Sequence, residues 1–266
     1  MPTPITSIDF LRAKGARRRL SMVTCYDYSF ARLVAQSPID GILVGDSVAM
    51  VVHGHPNTLA ATVDMMALHT RAVSRGAPDK LIVADLPFLS YRKGIPAALD
   101  AAHALIAAGA HALKLEGVQG HEDVIERLAG SGVPVMGHIG MQPQSVQAYG
   151  GFRVQGRDEA QAAAILRDAQ RLEQLGAFAV VLECIPAPLA EKITEAVKIP
   201  TIGIGAGPHC DGQILVLQDL LGLNIDFQPR FARRFAQTST CVASALAAYH
   251  DAVATAQFPA PEESFQ

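Results

Sequence analysis

Leu81-Ile82-Val83-Ala84-Asp85 and Ala112-Leu113-Lys114-Leu115-Glu116-Gly117 are short apolar runs that each close on a carboxylate. Gly41-Ile-Leu-Val-Gly-Asp46-Ser47 and Phe178-Ala-Val-Val-Leu-Glu183-Cys184 repeat the pattern. Runs of this length and apolarity, bounded by turn residues, read as parallel strands buried on both faces. A buried strand that ends on an acid delivers it to the C-terminal edge of the sheet. In an α/β barrel that edge carries the chemistry, so several such ends imply one shared site.

Outward from these runs the chain alternates strand-like and helical stretches, the rhythm of repeated βα units. Strands are expected at about 20–26, 41–46, 80–85, 111–116, 133–138, 178–183 and 200–204, with an eighth at Ile214 to Leu217. An amphipathic start covers Ile8 to Lys14. Helices are expected near 28–36, 62–75, 96–108, 121–130, 158–175 and 187–197, where apolar residues recur three and four apart. Asp27, Thr62 and Asp158 stand where caps belong. Two further helical stretches, near 229–237 and 239–255, and a tail from Phe258 follow. The reading is a single α/β barrel domain over 1–266, with the barrel at about 20–223 and C-terminal helices and tail at about 224–266.

Half of the 266 residues are hydrophobic, enough for the core of one such barrel. A net charge of −3 without a basic stripe gives no footprint for nucleic acid or an anionic membrane. The partners expected are small molecules and further copies of the chain. Cys25, Cys184, Cys210 and Cys241 are scattered and form no CxxC pair, so neither a zinc site nor a disulfide framework is suggested. The first residues carry Arg17-Arg18-Arg19 and no apolar leader, and no apolar run approaches bilayer length. A cytoplasmic location is expected.

Asp46, Asp85 and Glu116 come from three successive strand ends. Two carboxylates about 4 Å apart repel by about 4 kcal/mol at an effective dielectric of about 20. Either one is protonated or a cation lies between them, and hard oxygen donors favour Mg²⁺ over zinc. Strand periodicity turns Lys114 and Glu116 to one face. Lys114 then needs a charged partner, either a substrate carboxylate or a structural ion pair with Asp85 or Glu116. Ser47 offers a hydroxyl beside Asp46. Glu183 is placed either as a general base or as a hydrogen-bond acceptor behind the site. His138, in Gly137-His138-Ile-Gly140, is either a contact to substrate or Glu183, or a satisfied core histidine. Two connections, Val48 to Ala61 and Gly140 to Arg157, are long enough for lids. The glycines of Ile202-Gly-Ile-Gly-Ala-Gly207 suit a phosphate cradle or plain tight packing.

These residues fall into an ordered series: Thr24-Cys-Tyr-Asp-Tyr28, Leu43-Val-Gly-Asp-Ser47, Ala84-Asp-Leu-Pro-Phe88, Lys114-Leu-Glu-Gly117, Gly137-His138, Pro143-Gln-Ser145, Leu182-Glu-Cys184 and Ile202-Gly-Ile-Gly-Ala-Gly207. Through them the chain resembles the ketopantoate (3-methyl-2-oxobutanoate) hydroxymethyltransferase family over nearly its whole length. The resemblance implies a (β/α)8 TIM barrel that assembles as a homodecamer, binds Mg²⁺ and takes 5,10-methylenetetrahydrofolate as one-carbon donor. It implies transfer of a hydroxymethyl group to 3-methyl-2-oxobutanoate, giving 2-dehydropantoate for pantothenate synthesis. By position it makes Asp46 and Asp85 metal ligands and puts Glu116 in the metal site. It brings Asp46, Ser47, Asp85, Lys114 and His138 to the oxo acid and makes Glu183 the proton acceptor. Cys25 stands where the family commonly has Ala, a departure that leaves these residues intact.

Two other readings compete. A Mg²⁺-dependent carbon–carbon lyase or mutase of the phosphoenolpyruvate mutase and isocitrate lyase type shares the barrel and the enolate logic, but its Lys-Cys-Gly loop is missing here. A catalytically silent binding barrel would not need acids, lysine and base at one mouth.

Overall fold

The computed structural model describes residues 4–265. The chain forms two compact units, divided between Val216 and Leu217. Among the described residues of the first, eight parallel strands close in sequence order into a barrel. They are β1 (Leu20–Thr24), β2 (Gly41–Val44), β3 (Leu81–Asp85), β4 (Ala112–Glu116), β5 (Val135–Gly140), β6 (Ala179–Glu183), β7 (Thr201–Ile204) and β8 (Gly212–Leu215). β8 pairs back onto β1, with Leu20 opposite Gly212. Helix α1 (Ser7–Gly15) precedes β1, and α2 (Tyr28–Ala35) follows it. The short α3 (Val48–Val51) and then α4 (Val63–Gly76) join β2 to β3. α5 (Ile95–Ala107), α6 (Glu122–Gly130), α7 (Val146–Tyr149) with α8 (Glu159–Gln174), and α9 (Ala187–Ala196) complete the set. This is a (β/α)8 TIM barrel.

The capping residues read from sequence do cap. Asp27, Thr62 and Asp158 accept the backbone N–H groups of Phe30, Met65 and Gln161 at 2.9, 3.2 and 2.9 Å. Each cap contributes about 1 kcal/mol to its helix.

β1 and β2 each end two residues earlier than expected, and three further segments differ from the sequence reading. β5 begins and ends two residues later than expected. Pro134 has no N–H for the ladder, while its carbonyl accepts from Leu113 at 2.9 Å, and pairing then extends to Gly140 opposite Glu183. β8 starts at Gly212 and not at Ile214, because Gly212 and Gln213 pair with Leu20 and Ser21 and close the barrel against β1. The stretch 229–237 is not a helix. Its apolar spacing is helical, but Ala232 closes a turn onto the Pro229 carbonyl and Phe235 N–H bonds Leu220 at 2.8 Å. The second unit otherwise holds α10 (Leu217–Leu221) and the long α11 (Thr238–Ala254). No helix among the described residues is long and apolar enough to cross a membrane.

Alternate residues of the strands fill the barrel. Leu81 and Val83, Ala112, Met136, and Ala179 and Val181 all belong to one buried cluster. α1 adds Phe10, fully buried and edge-to-face on Phe178 at 6.2 Å. A buried Phe contributes about 1.5–3 kcal/mol. Counting on by two from these core positions reaches Asp85, Lys114 and Glu116, His138, and Glu183. The period that packs the core thus carries a polar set to the C-terminal mouth.

The loops after β2 and β5 contain 3-10 turns, Thr58–Ala60 and Pro143–Ser145, that approach one another. The first loop is also tied to α4 through His53 Nε2 and His69 Nε2, 3.0 Å apart.

Candidate active site

Register decides who meets whom at the mouth. Asp85 lies opposite Lys114, Glu116 opposite His138 and Gly140 opposite Glu183. Asp46 enters one residue after Gly45, where the chain passes very close to its neighbours. A Cβ at position 45 would lie 2.8 Å from Ser47 Oγ and 3.5 Å from Asp85 Oδ2, so only glycine fits without a shift. At Gly140, φ is +92° and a Cβ would run into the Glu183 carbonyl. Immediately after Glu183 the chain turns sharply through Cys184, a non-glycine residue at φ 46°.

Lys114 Nζ sits 3.0 Å from Asp85 Oδ1 at ion-pair distance and 3.2 Å from His138 Nδ1. Asp85 Oδ2 accepts the Asp46 backbone N–H at 2.9 Å. His138 stands between two acids, with Nδ1 3.5 Å from Glu116 Oε1 and Nε2 3.1 Å from Glu183 Oε2. Ser47 Oγ, which caps no helix N–H, lies 2.8 Å from the buried Tyr26 hydroxyl. Asp46, Asp85, Lys114, Glu116 and His138 are each no more than 4 % exposed, whereas the Glu183 side chain keeps 14 % exposure. The structure therefore brings all seven residues singled out in the sequence, Asp46, Ser47, Asp85, Lys114, Glu116, His138 and Glu183, to one mouth.

The electrostatics follow from burying so many charges together. Burial raises the Asp46 carboxyl well above the usual range, and Asp85 and then Glu116 push it further up. Asp85 is also raised by burial, against the pull of Lys114. Glu116 ends below the ordinary value because His138 and Lys114 outweigh its burial. Burial disfavours the Lys114 ammonium, but Asp85, Glu116 and Asp46 outweigh it and hold the charge. Burial and Lys114 also work against a charged His138, yet the neighbouring carboxylates of Glu116 and Glu183 lift it to about 9.

Four acidic side chains thus crowd around Lys114 and His138, and the burial and mutual repulsion that raise Asp46 and Asp85 suit a bound cation. Asp85 Oδ1 and Glu116 Oε1 are buried without an aligned hydrogen bond. Among the described residues, no three His, Cys, Asp or Glu side chains close around a metal by themselves. Mg²⁺ does not require that, since it binds through one or two carboxylates and keeps water or substrate oxygens for its other positions. Asp46 and Asp85 fit such a pair of donors, with Glu116 beside them.

Sequence reasoning missed four residues that complete this network. Gln144, only 5 % exposed, donates from Nε2 to Asp46 Oδ2 at 2.8 Å and to the Leu86 carbonyl at 3.0 Å. Its backbone N–H bonds Glu116 Oε2 at 2.9 Å. Tyr91 and Arg92 reach the Glu116 carbonyl, each at 3.0 Å. Tyr26 holds Ser47. Only Gln144 and Tyr26 lie in the motif stretches, Pro143-Gln-Ser145 and Thr24-Cys-Tyr-Asp-Tyr28, and nothing in the sequence hinted at Tyr91 or Arg92, because loop residues follow no periodicity.

The sequence profile described as Ketopantoate hydroxymethyltransferase matches residues 4–261. A curated protein from Bdellovibrio bacteriovorus, 3-methyl-2-oxobutanoate hydroxymethyltransferase, is 54 % identical over 260 residues, covering 98 % of this chain and 99 % of that one. One of the same name from Francisella tularensis subsp. novicida is 51 % identical over 258 residues, 97 % of each chain. Among solved structures, the phosphoenolpyruvate phosphomutase from Streptomyces platensis subsp. rosaceus superposes with a TM-score of 0.64 at 13 % identity, over 96 % of this chain and 92 % of that one. A 2,3-dimethylmalate lyase gives 0.59 at 16 % identity, over 97 % and 91 %. At such identities the structural likeness speaks for the barrel alone.

Proposed function

The chain belongs to the ketopantoate hydroxymethyltransferase family, and we propose that as a hydroxymethyltransferase it moves a one-carbon unit from 5,10-methylenetetrahydrofolate to 3-methyl-2-oxobutanoate. With one water consumed, the products are tetrahydrofolate and 2-dehydropantoate, a step of pantothenate and coenzyme A synthesis. The observation that carries this reading is the meeting of a carboxylate pair, a buried lysine and a semi-exposed glutamate at one barrel mouth.

Asp46 and Asp85, with Glu116 alongside, would hold Mg²⁺. When bound, the ion supplies Lewis acidity that polarises the oxo acid's carbonyl and lowers the cost of removing its C3 proton. Lys114 offers the substrate's carboxylate a cation already held in place by Asp85, so little ordering is left to be done at binding. Ser47, with its hydroxyl oriented by Tyr26, adds a hydrogen bond to the same molecule.

Glu183 takes the C3 proton. It is the most exposed of the four acids, and His138 Nε2 at 3.1 Å fixes its carboxylate without enclosing it. C3 forms the new bond to the methylene carbon, whose two carbon–nitrogen bonds to the folate both break; water supplies the hydroxyl oxygen, and the two freed nitrogens take up the C3 proton released through Glu183 and one proton of that water. The loops after β2 and β5 supply walls that exclude bulk solvent.

The test is formation of 2-dehydropantoate from the oxo acid and methylenetetrahydrofolate by the purified chain, with and without Mg²⁺. Product that depends on all three components supports the proposal. Cleavage of a carbon–carbon bond in a 2-hydroxy or phosphono acid instead would favour the lyase reading.

A further inference from the structure

Gln144 stands apart from every other uncharged residue at the mouth, because it touches two of the acidic groups through two different parts of itself. Its side-chain amide bonds Asp46 Oδ2, and its backbone N–H bonds Glu116 Oε2. Those acids come from the ends of β2 and β4, while Gln144 sits in the loop after β5. We propose that Gln144 is a positioning residue that sets the spacing of Asp46 and Glu116, so that the loop after β5 and the cation site form one unit. This deepens the function proposed above and rests on its assignment of a cation to these acids.

The hydrogen-bond chemistry leaves the amide one orientation. Both partners of Nε2, the Asp46 carboxylate and the Leu86 carbonyl, are acceptors, so the NH₂ end must face them. Oε1 then needs a donor, and the Tyr91 hydroxyl lies 3.0 Å away. That hydroxyl has one hydrogen and two acceptors in reach, Gln144 Oε1 and the Glu116 carbonyl, each at 3.0 Å. The Glu116 carbonyl is already served by Arg92 Nη2 at 3.0 Å, whereas Tyr91 is the donor within reach of Gln144 Oε1, so pairing every group sends the Tyr91 hydrogen to Gln144. Tyr91 is fully buried and stacks edge-to-face on His121 at 5.1 Å, so its ring cannot follow a rotating amide. The relay therefore runs from a locked aromatic ring, through a locked amide, to one oxygen of Asp46.

A buried glutamine whose hydrogen bonds are all satisfied could serve stability alone. The geometry points further because the oxygens it engages, Asp46 Oδ2 and Glu116 Oε2, leave the other oxygens of the same carboxylates unengaged by Gln144. Glu116 Oε1 is among the buried atoms without an aligned hydrogen bond. Partners that orient carboxylate ligands from behind typically affect metal affinity about 10- to 100-fold when removed.

The experiment measures Mg²⁺ binding by calorimetry on the full-length chain with no substrate present, for wild type and for Asp85→Asn, Gln144→Met, Tyr91→Phe and the Gln144→Met/Tyr91→Phe pair. Methionine keeps the length of the side chain and removes all three amide hydrogen bonds. The expected result is a dissociation constant raised about 10- to 100-fold in Gln144→Met. A smaller rise in the same direction is expected in Tyr91→Phe, with a double variant no weaker than Gln144→Met within about twofold, as residues of one relay are non-additive. Turnover of Gln144→Met should recover at saturating Mg²⁺, which a merely destabilised barrel would not show. Wild-type Mg²⁺ affinity in folded Gln144→Met overturns the proposal, as do additive losses in the double variant. If Gln144→Met does not fold, unchanged affinity in Tyr91→Phe overturns it. Absence of Mg²⁺ binding by the wild type would bring down the cation assignment and this inference together. Binding lost in Asp85→Asn but untouched at Gln144 would remove this inference alone.

Discussion

Replacing Glu183 by glutamine separates the removal of a proton from the holding of a substrate. Glutamine keeps the volume and an oxygen that can face His138 Nε2 at about the observed 3.1 Å, but it takes no proton at neutral pH. The change replaces a charged contact, worth at most about 1.5–3 kcal/mol, by a neutral one worth about 0.5–1.5. About 1 kcal/mol of stability is lost, a fall in Tm of roughly 2–4 °C for a chain of this size. The chemical cost is larger. A positioned general base contributes about 10²- to 10⁴-fold, or about 2.7–5.5 kcal/mol in the barrier. The assay follows exchange of the C3 hydrogen of 3-methyl-2-oxobutanoate with D₂O by proton NMR, with Mg²⁺ and without folate. Wild type should wash the signal out, and Glu183→Gln should slow it by at least about a hundredfold while calorimetry shows oxo-acid affinity changed by less than about threefold. Exchange at the wild-type rate in Glu183→Gln would refute the assignment and move the base elsewhere, with His138 the first residue to test.

Lys114→Met should raise the KM for the oxo acid far more than that for the folate, by about 10- to 150-fold for a lost contact of about 1.5–3 kcal/mol; steady-state kinetics with each substrate varied would check this, and an unchanged oxo-acid KM would leave Lys114 as the structural partner of Asp85 only. Asp85→Asn should abolish calorimetric Mg²⁺ binding and turnover together, and EDTA should silence the wild type reversibly, whereas full activity in metal-free buffer would contradict both. His121, buried at 1 % exposure, has its pKa lowered from 6.5 to about 4 by burial and then Arg92. Its neutral form is the folded one, so stability is intact above about pH 6.5 and falls as pH drops toward 4, by up to about 1.4 kcal/mol per pH unit. His121→Phe, which keeps a ring against Tyr91, should flatten urea-denaturation midpoints across that window; an unchanged pH slope would show that His121 does not set it.

How much of this was legible before folding differs from residue to residue. Asp85, Lys114, Glu116, His138 and Glu183 were legible because strand residues obey a period of two. Once Val83, Ala112, Met136 and Val181 are core, the next inward positions are forced to the mouth. Asp46 and Ser47 were legible as the residues next past a strand end. The partner of Lys114 was not, since periodicity left both Asp85 and Glu116 open, and only the register of β3 on β4 brings Asp85 within 3.0 Å.

The chain by itself determined the barrel, the order of its strands and the list of charged residues at its mouth, because apolar runs and their period are local properties of the sequence. The tertiary structure alone decided the rest. The 229–237 stretch has helical spacing, yet its backbone bonds a residue as distant as Leu220, a choice no local pattern contains. Gln144, Tyr91, Arg92 and Tyr26 join the site from loops, where the direction of a side chain is set by whichever polar group from another loop or strand end satisfies it. Hydrogen bonds between residues 98 positions apart, such as Gln144 to Asp46, exist only after the barrel has closed.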